Sequence, residues 1–482
     1  KGGFYRFKDP EDSTTRETLD FCKFVYRKYN YSKPEIAVQA EMENDFTLLL
    51  ESDDKYGRYA WEVLSNSLCY AADLVPEVNE SLVAIDDAMK LGYNWIQGPF
   101  EMIDSIGVNN FIERLEKENR SIPKILHVAR NKSFYRIENN KLQYLLATGK
   151  YKNLKREEGT RRFSEERRTK KPLFSNKVAS YFEINKDIGM VEFHSKANAL
   201  DGESMKLLSD AIDHSEINHR GMVIHNDASH FSCGVNLERI SDFIEVRDWD
   251  GLDAFLEHFQ NTVKKMKYSS IPVVSAPSGL SIGGGFEVVL HTDASIYHAN
   301  SVTGLVESLV GVVPGGGGVK EILYRWFDIK KNETEAAWKT FMNIGYGKTA
   351  QSPLQGQELA MFIEGRDEFV MNRDRLLDAA IIKVDHLKNN YSPTYRGDLS
   401  MPGRDIWQKM KEWLMDAHKK GFLTPHDVTT GTQIAMIVTG GDIDEGTIMN
   451  EDDIFGLERK AFLSLAKTNE TKQRIKHMLA YG

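Results

Sequence analysis

Apolar residues recur at spacings of three and four in YGRYAWEVLSNSLCYAADLV, where Trp61, Leu64, Leu68 and Ala71 or Ala72 share one face; this predicts a helix. SLVAIDDAMKLGYNW predicts a second helix, stopped near Gly92. Gly98-Pro99 breaks the chain, and FEMIDSIG resumes a helix that ends at Gly107, so the stretch from about 55 to 150 reads as helical. From residue 180 the period changes. VASYFEINKDIGMVEF predicts a hairpin with Lys186-Asp187 in its turn, followed by a helix over Ser204–Ile217, a short apolar strand in GMVIHND, an amphipathic helix over Trp249–Met266 and a strand in IPVVSAP. Strands alternating with helices predict a layered α/β core. Beyond about residue 350 the pattern is almost all helical, clearest over Trp407–Lys419 and Asp453–Leu479.

Composition narrows the classes. Hydrophobic residues make up 41% of the 482, which excludes a mainly disordered chain. The net charge of −9 lowers the weight of a general nucleic-acid binder. Cys22, Cys69 and Cys233 stand far apart, with no C-x-x-C, so a disulfide framework and a zinc site are both disfavoured and a reducing, cytoplasmic setting fits. The polar opening, KGGFYRFKDPEDSTTRE, is not a signal peptide; it begins on Lys, and the chain is expected to be cut from a longer one. Residues 152–171 hold nine Lys/Arg against four Glu and read as a solvated linker, with a phosphate-attracting patch as the alternative.

The chemistry is concentrated in Ile271–Val319. These 49 residues carry three charges, Glu287, Asp293 and Glu307, where the chain's 28% average would place about 14. The stretch is therefore expected to be buried, and an acid inside it is either a hydrogen-bonded structural group or a catalytic acid or base. Gly283-Gly284-Gly285 lies between a predicted strand and a helical run, a setting that leaves N–H groups free at the positive end of a helix and suits an oxyanion hole. Glu287 follows one turn later, and a second glycine cluster, Gly315–Gly318, again precedes a helix. Some patterns are weak. Gly279–Gly283 matches G-x-S-x-G, but His426 and Asp427 follow in reverse order; GYGKT lacks the first glycine of a phosphate loop; and no G-x-G-x-x-G follows a strand. His291 and His298 read as core or surface histidines, and no metal site is expected.

SIGGGFEVVLHTDASIY and TGLVESLVGVVPGGGGVKE resemble the active-site segments of the crotonase (enoyl-CoA hydratase) superfamily. HFSCGVNLERI resembles its upstream F-x-x-G-x-D loop, and SKANAL its N-A-L segment at the coenzyme A site. The GLVE…PGGGG form is most similar to hydratase domains fused behind a 3-hydroxyacyl-CoA dehydrogenase. KGGFYRF and IDDAMKLGYNWIQGPFEMIDSIG resemble that enzyme's helical C-terminal domains. The resemblance implies a C-terminal part of a bifunctional fatty-acid β-oxidation protein. Residues 1–50 would be the tail of an upstream helical domain and a linker; 51–150 an all-α dehydrogenase C-terminal-like domain; 151–178 a basic linker; and 179–482 an α/β crotonase domain, a layered β-β-α superhelix, with a helical extension. The activity implied is hydration of trans-2-enoyl-CoA, with another crotonase-type isomerisation or a non-catalytic interaction fragment as alternatives. Glu287 would deprotonate water for attack at C3, and Glu307 would supply the C2 proton. The N–H groups of Val235 and Gly284 would form the oxyanion hole, with Lys196, Cys233, Gly234, Asn236 and Gly283 around the substrate. Hydration would need no cofactor beyond the acyl-CoA substrate, and NAD would belong to a nucleotide-binding domain outside this chain. A thiolase or a second copy of the chain is the expected partner, without nucleic acid or a transmembrane segment. Two departures stand out: the loop Asp of the family is Asn236, and Leu305-Val306 precedes Glu307 where many hydratases have Gln-Pro.

Overall fold

The computed structural model describes residues 3–9, 15–29, 32–43, 45–93 and 95–481, in two units, Lys1–Lys155 and Arg156–Gly482. In the first unit the helix over Lys55–Asp73 buries Trp61, Leu68, Ala71 and Ala72, the face its spacing predicts, and Asp54 caps it by accepting from the N–H groups of Tyr56 and Gly57. Helices follow over Leu82–Tyr93, Pro99–Ile106, Val108–Lys117 and Lys124–Ala129. They close on Phe100, Ile103, Phe111, Ile112, Leu115 and Leu126.

The first unit is not all-α, as expected of residues 51–150. Tyr135–Glu138, Lys141–Leu145 and Tyr151–Asn153 form an antiparallel three-stranded sheet, and Tyr5–Phe7, Arg16–Asp20 and Val25–Lys28 form another. The local cause is a two-residue hairpin turn, Asn139-Asn140, with φ of 50° and 58°, values that Asn tolerates better than most residues. Two acids, the buried Asp86 and the half-buried Asp104, tie the sheet to the helices. Asp104 accepts the N–H groups of Phe134 and Tyr135 at 2.7 Å each, and Asp86 accepts Tyr135 O–H at 2.7 Å and Phe100 N–H at 2.8 Å. Burial pushes the Asp86 carboxyl up to about 7.

The second unit is built on a seven-stranded sheet. Its order is Glu368–Val370, Ala294–His298, Val273–Ala276, Gly221–His225, Ile188–Phe193, Ala179–Asn185, Phe174–Ser175. The first five strands pair in parallel and the last two antiparallel, the expected hairpin at 179–193 among them. A smaller sheet pairs Leu280–Ile282 in parallel with Val302–Gly304, and Val302–Gly304 antiparallel with Thr349–Ala350. Successive strands thus change sheets at a corner. Val273–Ala276 lies in the large sheet, Leu280–Ile282 in the small one, and the helix Gly284–Leu290 follows; Ala294–His298, Val302–Gly304 and the helix Gly318–Lys330 repeat the pattern. This is the β-β-α layering the resemblance implies, and it delivers both glycine clusters to helix N-termini beside the small sheet.

The basic run reads differently in three dimensions. Residues 156–171 are folded onto the second unit. Arg162 pairs with Asp374 at 2.6 Å, Arg167 with the buried Glu192 at 3.0 Å, and Lys170 donates to the Ile184 carbonyl at 2.8 Å. Alternating Arg and Glu, with Arg156–Glu165 and Arg161–Glu166 pairs, satisfy each other locally and let the segment pack. The helix expected over Asp453–Leu479 is two helices, Glu451–Ala466 and Asn469–Tyr481. They are broken where Thr468 Oγ1 accepts the Thr471 N–H. No helix among the described residues is long and apolar enough to cross a membrane.

Candidate active site

Four segments converge. The strand Leu280–Ile282 ends on Gly283, whose φ of 54° and ψ of −135° fall where a side chain is strained. That turn reverses the chain into the helix Gly284–Leu290, and the Gly283 N–H donates to the Gly304 carbonyl at 2.9 Å, joining the two strands just before Glu307. A Cβ built on Gly283 would lie 3.1 Å from Glu307 Oε1 and 3.7 Å from the Gly234 Cα, so glycine's lack of a side chain brings three of the segments together. The fourth is Gly315–Gly318. Glu287 Oε1 accepts the N–H groups of Gly316 and Gly318, both at 2.8 Å.

The two glutamates share one electrostatic environment. Glu287 is 2% exposed. Burial pushes its carboxyl up to about 7, against the pull of the Gly318 and Gly316 N–H groups and of Lys320. Burial, followed by the negative charge of Glu287, holds Glu307 well above the usual carboxylate range. The Glu307 side chain is half-buried as a whole, but its Oε2 is shut off from solvent and has no hydrogen-bond partner among the described residues. An unpartnered buried carboxyl oxygen is costly in a purely structural residue. Such a pair can hold one carboxylate and one carboxylic acid at neutral pH, groups able to accept and to donate a proton.

Beside the pair lie two backbone donors. The N–H groups of Val235 and Gly284 have no acceptor among the described residues, although the neighbouring amides of Cys233, Gly234 and Asn236 are all used. The two nitrogens are close: a Cβ on Gly284 would lie 3.4 Å from Val235 N, and a Cβ on Gly234 would lie 3.5 Å from Gly284 N. Gly234 has a φ of 95°, and its carbonyl accepts the Leu200 N–H at 2.8 Å, so the Val235 N–H of the same peptide unit points away from that contact.

The other residues singled out in sequence fall as follows. Cys233 donates its N–H to the Ala197 carbonyl at 3.1 Å, so the 195–198 turn bearing the exposed Lys196 lies against the 232–236 loop. Burial raises the Cys233 thiol. The Asn236 side chain is engaged as the N-cap of the helix Leu237–Val246, accepting from Glu238 N–H at 3.0 Å, so its first duty is to the helix rather than to a substrate. Asp293 accepts from the Val273 N–H and the Tyr391 O–H and ties strands together. Ser281 sits buried within a strand rather than on a nucleophile elbow. His291 Nδ1 contacts the Glu287 carbonyl oxygen at 2.7 Å, and burial lowers the imidazole to about 3, which keeps it neutral. No group of three or more His, Cys, Asp or Glu able to hold a metal occurs among the described residues.

Sequence reading missed Glu458, whose two oxygens accept Gly317 N–H at 2.9 Å and Lys320 N–H at 2.6 Å. It also missed Gln260, whose Nε2 donates to the Gly315 carbonyl at 2.8 Å. A signal existed for the first. Glu458 falls on the apolar stripe of its helix, with Ile454, Phe455, Ala461, Phe462 and Leu465, where an acid is out of place.

Residues 183–338 match the family model described as enoyl-CoA hydratase/isomerase, and the second unit carries a domain of that crotonase type. The matched range contains Val235, Gly284, Glu287, Glu307 and both glycine clusters. The whole chain is similar to a probable 3-hydroxyacyl-CoA dehydrogenase of Bacillus subtilis, 32% identical over 490 residues that cover 100% of this chain and 61% of the relative. It is also similar to a putative fatty acid oxidation complex trifunctional enzyme of Rickettsia felis, 26% identical over 482 residues, 99% of this chain and 59% of the relative. The chain thus spans about three fifths of the length of these relatives. Among solved structures, the enoyl-CoA hydratase from Bacillus halodurans aligns with a TM-score of 0.43 and 17% identity, covering 61% of this chain and 98% of that one.

Proposed function

We propose that this chain adds water across the double bond of a trans-2-enoyl-CoA to give a 3-hydroxyacyl-CoA, as in fatty-acid oxidation. One observation carries the reading: the buried Glu287 and the half-buried Glu307, whose environments set them apart in acidity, beside two backbone N–H groups without acceptors among the described residues. The thioester carbonyl becomes enolate-like in the transition state, and fixed N–H donors of Val235 and Gly284 stabilise it there more than in the ground state. Glu287 takes a proton from water as the oxygen bonds to C3, and Glu307 gives its proton to C2. The proton on Glu287 then passes to Glu307 to restore the pair. Related isomerisation needs a proton moved between carbons rather than a held water, and the presence of two carboxyls favours hydration.

Loss of the crotonyl-CoA double-bond absorbance on adding the purified chain tests the proposal. Conversion of a 3-enoyl-CoA to the 2-enoyl form without hydration would replace it with isomerisation, and no turnover of either would leave an interaction fragment. The pH dependence follows from the pair. Glu287 must be ionised and Glu307 protonated, so kcat/KM is expected to follow a bell, losing activity as pH falls through about 7 and again at higher pH as Glu307 ionises. A profile flat from pH 5 to 7 would contradict this assignment.

The dehydrogenase name of the Bacillus subtilis relative fits the same scheme, because the 3-hydroxyacyl-CoA formed by hydration is what such an enzyme oxidises. Likeness of the 1–155 unit to a dehydrogenase C-terminal domain belongs to that reading. The residues described do not fit NAD: no strand in them is followed by the G-x-G-x-x-G turn that holds a dinucleotide pyrophosphate. No step here runs through it. The purified chain is expected to form no NADH from 3-hydroxybutyryl-CoA, and NADH formation by a preparation free of host enzymes would overturn this.

A further inference from the structure

The glycine loop that holds Glu287 is gripped from its other side. Its N–H groups alternate: those of Gly316 and Gly318 go to Glu287 Oε1, those of Gly317 and Lys320 to the two oxygens of Glu458. The alternation is set by backbone, since Gly317 adopts a φ of 99° and turns its peptide away from its neighbours' direction. Glu458 is 0% exposed, on the helix Glu451–Ala466, among apolar residues that need no acid for packing. A buried carboxyl is retained at such a place only where both oxygens are used, and here each accepts one loop amide. Through these bonds the two acids hold one strip of peptide between them, and burial followed by the negative charge of Glu287 keeps the Glu458 carboxyl well above the usual carboxylate range. Behind the strip, Lys320 is fixed between Glu321 and Glu451, so the end of the loop has little freedom to follow a displaced partner.

We propose that Glu458 is a positioning residue that aims the Gly316 and Gly318 N–H groups at Glu287 and so fixes the base against the water it deprotonates. Its catalytic consequence rests on the hydratase reading; the alignment of the loop does not. The key contrast is between two Gln variants. Glu287→Gln keeps both loop bonds, because a single oxygen accepts them. Glu458→Gln keeps only one, because its NH₂ would face an N–H donor.

The experiment is hydrogen exchange of the peptide spanning residues 313–323 in the full chain, measured beside crotonyl-CoA kinetics. Glu458→Gln is expected to speed exchange of the loop amides about tenfold or more, with other core peptides unchanged. It should lower kcat about 10- to 100-fold, as a displacement near 1 Å does, while KM stays within about threefold. Glu287→Gln should leave loop exchange at the parent rate. Unchanged loop exchange in Glu458→Gln would overturn the proposal, and so would faster exchange throughout the second unit, which marks general loosening. Faster loop exchange with an unaltered kcat in an active parent would also overturn it. If the Gln variant does not fold, Glu458→Asp, which keeps both oxygens one methylene short, is judged by the same exchange and kcat criteria. A parent without hydratase activity would remove the hydratase reading alone, and the exchange result would still decide whether Glu458 aligns the loop.

Discussion

Glu287→Gln and Glu307→Gln are each expected to lower hydratase turnover by about 10²–10⁴ while keeping the fold, because each removes a proton-transfer group and almost nothing else. For Glu287 the retention of fold has a specific basis. Both loop N–H bonds end on Oε1, so a Gln carbonyl oxygen there accepts both, and the NH₂ replaces Oε2. For Glu307, Oε2 has no partner among the described residues, so an amide in its place leaves no acceptor stranded. Circular dichroism and melting within a few degrees of the parent, together with the lost kcat, would be the expected pair of results. Turnover within a few-fold of the parent in either variant removes that residue from the chemistry. The two should also fail to add. A base without its acid, or an acid without its base, completes no cycle, so the double variant is expected to be little worse than the weaker single one.

Gly284→Ala is expected to cost on the order of 10²-fold in kcat/KM, the scale of losing one oxyanion donor. The position carries no positive φ, so the added methyl brings no backbone strain. Its Cβ would instead lie 2.7 Å from Val235 Cγ2 and 3.4 Å from Val235 N, a wedge between the two donors. Val235→Ala by itself should stay within a few-fold of the parent, since the donor is backbone. Combined with Gly284→Ala it removes the clashing methyl and should recover part of the loss, giving a positive coupling in a double-mutant cycle. A Gly284→Ala variant within threefold of the parent would mean that the two N–H groups do not act together on the substrate.

Much of the second unit was legible along the chain. Apolar runs marked the hairpin at 179–193 and the strand at 221–225, whose residues are almost all buried, and helical patterning marked the helices at 202–218 and 249–267, where one face is buried. The sheet at 135–153 was not seen. Its strands are short, their apolar positions also suit a helix, and only the Asn139-Asn140 turn distinguishes the two readings. The basic run at 152–171 misled for a different reason. Charge content reports solvation only when charges lack partners, and its partners, Asp374, Glu192 and the Ile184 carbonyl, are remote in sequence.

The sequence by itself determined which residues could carry the chemistry. Three charges in Ile271–Val319 isolate Glu287 and Glu307, and two glycine clusters before helices mark where backbone N–H groups come free, since glycine and burial are properties of composition and local order. Only the tertiary structure decided what those groups face. The hydrogen bonds from Gly316 and Gly318 to Glu287, the approach of Gly283 to Glu307, and the pairing of Val235 with Gly284 all arise because strands from separate stretches change sheets at the same level. Glu458 is the clearest case. It lies 171 positions beyond Glu287 in the chain, and its two hydrogen bonds to the loop depend on where a C-terminal helix packs. A carboxyl's acidity is set by what surrounds it in space, and neighbours brought from that far along the chain leave no local pattern to read.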